Sequence, residues 1–235
     1  MIPTLAVVDP LLTVSCPQQI TAHVGLDALA QVVEPFLSCL ANPVVDALAR
    51  EGIMRASRSL CRAVAQPDDL EAREDMSIAS MLGGLCLANA KLGTVHGFAG
   101  VIGGGFDSAP HGAICGLLLP KVFRASAERL SSIAHRAADS EHMRSSSLDK
   151  IMNKATAQRR LQRFREVSRI ITANPDADIG DGVAWLDMPG LTALCGMQER
   201  DIPRVSSATA AASSTKGNPV VLNLPELEAI LRSAL

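Results

Sequence analysis

Residues 25–38 read GLDALAQVVEPFLS. Leu26, Leu29, Val33 and Leu37 recur at spacings of three and four, the period of an amphipathic helix. Asp27 and Gln31 lie four apart, so both project from one face of that helix, one turn from each other. Each polar residue also has an ordinary reading. Asp27, just after Gly25, suits the first turn of a helix, where the dipole favours an acid. Glu34, before Pro35, suits a solvated face.

Upstream, Pro17 can open a helical turn over Ile20–Val24, which Gly25 interrupts. Pro3–Cys16 reads as one or two short extended segments broken at Asp9-Pro10. Downstream, Asn42-Pro43 is a helix start, and the periodic run Val45, Leu48, Ile53, Ala56, Leu60, Val64 carries that helix to Gln66-Pro67. Asp68 or Asp69 caps the next helix, through Met76, Leu82 and Ala90, with Gly93 as its stop. Ala113–Leu119 reads as a buried helix ending at Pro120, followed by polar helices over Lys121–His135 and Gln158–Ile171. The region 139–157 is rich in Ser, Lys and Arg and poor in core-forming residues. Short helices follow at Asp181–Met188, Leu191–Met197 and Ile202–Ala212. A turn at Lys216–Pro219 precedes a last helix opened by Pro225.

The composition agrees with a helical chain. Of 235 residues, 48% are hydrophobic, a content that can bury a sizeable core, and only 3% are aromatic. The net charge of −2 argues against a nucleic-acid binder, and the few aromatic faces argue against base stacking. No apolar run reaches the ~18 residues of a membrane span. The first ten residues lack the basic start of a signal peptide. The six cysteines occur singly, and Cys39, Cys61 and Cys86 fall in apolar helical patterns where a thiol acts as a small hydrophobe. A reducing, cytoplasmic setting is therefore expected.

The unusual stretch is TVHGFAGVIGGGFDSAPHG at 94–112, Gly-rich and bounded by His96 and His111. A carboxylate and an amide oxygen from one helix face, with two imidazoles, could converge on one divalent metal, since zinc and transition metals accept mixed N/O donors. Two core histidines would be the simpler account. Gly103–Gly105 do not follow a strand and open a helix, as a phosphate loop must. Close backbone approach to the metal-binding helices is their expected role.

Three segments carry a resemblance to a known family: GLDALAQVVEPFLS at 25–38, LANAKLGTVHGFAGVIGGGFDSAPHGAICGLLLPKV at 87–122, and STKGNPVVLNLPELEAIL at 214–231. Together they resemble the iron-containing (group III) alcohol dehydrogenases, with gaps, from Pro3 to Leu235. The resemblance implies the all-α, dehydroquinate synthase-like C-terminal domain of that family, with a short extended N-terminal segment. Residues 1–16 would be linker or strand from a nucleotide domain, and 17–235 the helical metal-binding domain. It implies Asp27, His96 and His111 as ligands of Fe2+ or Zn2+. Gln31 stands where many members have the remaining histidine, and Gly100 where many have a further active-site histidine. It also implies alcohol–aldehyde interconversion with NAD(P), although the nucleotide-binding glycine loop belongs to a domain this chain does not resemble. NAD(P) binding by this chain alone is therefore not expected. The partners implied are a small alcohol or aldehyde and a homo-oligomer or separate nucleotide-binding domain. The alternative is a non-catalytic helical remnant that binds a metal or a partner.

Overall fold

The computed structural model describes residues 3–107, 109–139, 152–181 and 189–235. Among these, every regular element is helical. The helices are α1 (Gln18–Leu37), α2 (Pro43–Ala65), α3 (Leu70–Ala90), α4 (Thr94–Gly105), α5 (His111–Asp139), α6 (Lys154–Thr172), α7 (Leu191–Cys195), α8 (Ile202–Ala211) and α9 (Leu224–Arg232).

Local chemistry sets several boundaries. The Asn42 side chain accepts from the backbone N–H of Val44 and Val45, and Pro43 occupies the first turn of α2, where its missing N–H costs nothing. Asp69 accepts from the N–H of Ala72 and so caps α3. Asn223 and Glu226 form a reciprocal capping box that starts α9.

The first segment read from the sequence proves to be the centre of the fold. α1 packs against α2, α3, α5 and α6. Leu29, Ala30, Val32 and Phe36 on it are completely buried. From Gly25 onward α1 is buried on nearly every side, with Asp27 and Gln31 half-buried along its one polar face. Gly25 does not interrupt it. A Cβ there would lie 2.2 Å from Leu60 Cδ1, so the missing side chain admits α2 instead.

Four further expectations are corrected. Pro120 does not end a helix, for α5 runs through it. An internal proline costs roughly 3 kcal/mol, but Leu118, Leu119, Val122 and Phe123 are buried on both sides of it, each contributing about 1.5–3 kcal/mol. α3 stops at Ala90, where Lys91 takes φ 59°, and Gly93 is instead the N-cap of α4. Gly103, Gly104 and Gly105 form the exposed end of α4. A Cβ on Gly103 or Gly104 would meet nothing within 4 Å, so no close approach requires them. Pro3–Cys16 holds no strand. It contains a 3-10 turn over Pro10–Thr13, capped by the Asp9 side chain.

Cys39 and Cys61 are exposed, unlike buried Cys86, because their helical or loop positions face away from the core. The expected helix at 181–188 and most of the 139–157 region lie outside the described residues. Among the described residues no single helix is long and apolar enough to cross a membrane.

Candidate metal centre

α1 presents Asp27, Gln31 and Glu34 at i, i+4 and i+7, a single stripe along one helix face. α4 brings His96 in its first turn. α5 begins at His111, directly after Pro110, and carries Cys115 one turn further on the same face. Two glycines let α5 approach α1 at this level. A Cβ on Gly112 would lie 2.0 Å from the His23 carbonyl oxygen, and one on Gly116 would lie 2.6 Å from Leu26 Cδ1. The donors of α5 are held against Asp27 because these two positions carry no side chain.

Asp27 is the meeting point. Its Oδ1 is 3.1 Å from His96 Nε2 and 3.7 Å from His111 Nε2. Gln31 Nε2 donates to its other oxygen at 2.9 Å. The two imidazole rings are 5.7 Å apart between centroids and tilted by 54°. One potential ligand atom from each of Asp27, His96, His111 and Cys115 falls within 4.8 Å of all the others.

Glu34 is not on a solvated face. Its side chain is 6% exposed, and Oε2 lies 2.6 Å from His96 Nδ1. The same carboxylate accepts from the backbone N–H of Val95 at 2.7 Å and of His96 at 3.4 Å. α4 has only Gly93 at its N-cap, with no capping side chain of its own. Glu34 thus caps α4 from another helix, satisfying free N–H groups at a positive dipole end. A Cβ on Gly93 would be 2.6 Å from Glu34 Oε1, so glycine is what leaves room for this carboxylate. Asp27 is likewise not a first-turn acid, since α1 begins at Gln18.

The electrostatics follow from this geometry. Burial works against charge on His96, but hydrogen bonds with Asp27, Cys115 and Glu34 outweigh it and push its pKa up to about 12. Burial would raise the Asp27 carboxyl, but His96, with His111 behind it, holds it below the usual carboxylate range. Burial pushes the Cys115 thiol up to about 11.

The donor set fits a divalent cation. Ligand atoms at about 2.0–2.3 Å from a tetrahedral centre are roughly 3.3–3.8 Å apart, close to the distances around Asp27. Nε2 of His96 faces the other donors while Nδ1 is fixed by Glu34, the carboxylate–histidine arrangement that orients metal-binding imidazoles. Gly100 lies exposed one turn beyond His96, and a Cβ there would meet nothing within 4 Å.

The family described as "Fe-containing alcohol dehydrogenase family, C-terminal" matches residues 21–235. The chain belongs to that family. It is 33% identical over 237 residues to 1,3-propanediol dehydrogenase of Klebsiella pneumoniae, covering 99% of this chain and 55% of that protein. It is 39% identical over 155 residues to alcohol dehydrogenase 4 of Schizosaccharomyces pombe, covering 63% of this chain and 36% of that protein. The solved structure of 1,3-propanediol oxidoreductase superposes with a TM-score of 0.68 at 33% identity, over 97% of this chain and 55% of that one. The chain thus spans about half the length of these full-coverage relatives, and the family's helical C-terminal domain is the part it corresponds to.

Of the residues singled out from the sequence, Asp27, His96 and His111 lie in one cluster, and Gln31 adjoins it through its hydrogen bond to Asp27. Glu34 and Cys115 were missed. Both carried a periodic signal, Glu34 at i+7 from Asp27 and Cys115 at i+4 from His111.

Proposed function

We infer that this chain is the metal-binding half of an oxidoreductase that interconverts small alcohols and aldehydes by hydride transfer with NAD(P). The observation that carries this reading is the convergence of Asp27, His96 and His111, from three separate helices, around one point backed by Glu34. Under this reading Asp27, His96 and His111 hold Fe2+ or Zn2+, and Gln31 completes the site from beside Asp27. A divalent metal there would act as a Lewis acid on an alcohol or carbonyl oxygen. The chain's own residues bind and orient. Asp27 supplies the anionic donor, Gln31 steadies its second oxygen, and Glu34 fixes the ring of His96. Gln31 is neutral and a weaker donor than imidazole, so this site should hold metal less tightly than a three-histidine one.

Hydride chemistry needs a nucleotide site, and no strand–glycine-loop–helix unit is found among the described residues. Under this reading a nucleotide-binding domain like that of the longer relatives would supply it. The test joins this chain to the N-terminal half of the Klebsiella relative and assays alcohol-dependent reduction of NAD(P)+ after metal loading. Turnover lost in His96→Ala supports the reading. Metal retained without turnover favours the second reading, a metal-binding helical module, to which exposed Gly100 also points.

A further inference from the structure

We propose that Cys115 is a metal ligand in this chain, so that the cation is held by Asp27, His96, His111 and a cysteine thiolate. This rests on the metal-binding reading above and deepens it.

Three independent features place the sulfur there. Cys115 is fully buried, yet its Sγ lies within 4.8 Å of donor atoms on Asp27, His96 and His111. It is one helical turn from His111 on α5, so both project toward α1 from the same face. Gly116, next to it, removes the side chain that would otherwise hold α5 away from Leu26.

The chemistry is distinct from an all-nitrogen-and-oxygen site. A thiolate is a soft donor, and two imidazoles, one carboxylate and one thiolate form a four-donor set that Zn2+ accepts, with a fifth position left for the alcohol or carbonyl oxygen. In this set Cys115, rather than Gln31, supplies the fourth donor, and Gln31 keeps its hydrogen bond to Asp27. Without a cation the sulfur is a thiol. Its proton passes to solvent as the metal–sulfur bond forms, and no electron is transferred.

Cobalt reports this bond directly, because thiolate-to-Co2+ charge transfer absorbs in the near-ultraviolet and imidazole or carboxylate ligation does not. Metal-free protein is titrated with Co2+ for wild type, Cys115→Ala and Cys61→Ser, with far-ultraviolet circular dichroism confirming the helical fold. Cys61 is exposed and serves as the control. The expected result is a band in wild type and Cys61→Ser that saturates at one equivalent and is lost in Cys115→Ala. A band that survives in Cys115→Ala overturns the proposal. Cobalt bound by wild type without the band also overturns it, while leaving the metal site standing. Failure of wild type to bind cobalt at all removes both. Where Cys115→Ala does not fold, Cys115→Ser takes its place, and a wild-type spectrum without the band overturns the proposal by itself.

Discussion

Glu34 Oε2 lies 2.6 Å from Nδ1 of His96, and the same carboxylate caps the helix on which His96 stands. One buried acid therefore sets both the position of α4 and the orientation of the ring. Glu34→Gln keeps an oxygen for the cap but loses the charge behind His96. Metal affinity should fall about 10–100-fold, the usual effect of removing such a partner. Competition with a chromophoric zinc chelator measures it. An unchanged affinity would detach Glu34 from the site.

How much of this was legible in the sequence depends on the kind of signal. The helix starts at Asn42 and at Asp68 or Asp69 could be read directly, because the bonds that make such caps are local, and Pro225 marked the start of the last helix although its cap, Asn223, was not singled out. Pro120 and Gly25 were misread as breaks because tertiary packing overrides local propensity. The Asp27/Gln31 face was visible from i,i+4 spacing. Glu34 was assigned to solvent because nothing local reveals that the end of α4 will be laid against it from 61 residues away.

Gly112→Ala should be severely disruptive for its size. The new Cβ would meet the His23 carbonyl oxygen, a backbone atom that cannot rotate away. Relief requires α5 to move from α1, taking His111 and Cys115 with it. Overpacking of this kind costs about 1–3 kcal/mol. A lowered urea midpoint together with weakened metal retention is expected. Gly100→Ala, where the space is open, should leave both unchanged apart from helix propensity.

Asp75 ties α3 to α2. The Arg58 guanidinium, against the opposing pull of burial and with help from Ser59 and Arg55, holds its carboxyl at about 2. Its folded pKa is thus below the ordinary carboxylate value of about 3.9, so the stabilisation is present above pH ~4 and is lost as pH falls toward 2. Asp75→Asn should lower stability near neutrality by roughly 1–3 kcal/mol. It should also flatten the acid limb of a plot of urea midpoint against pH. An acid limb as steep as in wild type would contradict this assignment.

The N-terminal segment and the helices beneath it should make the isolated chain adhesive. Leu5 and Val7 are 79% and 85% exposed. A cavity of about 1160 Å³ between this segment, α1 and α3 is lined by Leu12, Val24, Met76 and Leu85, among others. Contiguous apolar surface of this kind binds hydrophobic dyes and promotes self-association. Light scattering should show species larger than 24.7 kDa, with a marked rise in dye fluorescence. A monomer that leaves the dye dark would count against it.

Metal content after dialysis tests the central claim most directly. Wild type, Gln31→His and His96→Ala are loaded with Zn2+, dialysed identically and measured by mass spectrometry. Asp27, His96 and His111 converging on one cation predict retention in wild type, greater retention in Gln31→His, and loss in His96→Ala. Equal metal in wild type and His96→Ala would contradict the account, because it would remove from the site the one imidazole that Glu34 is placed to hold.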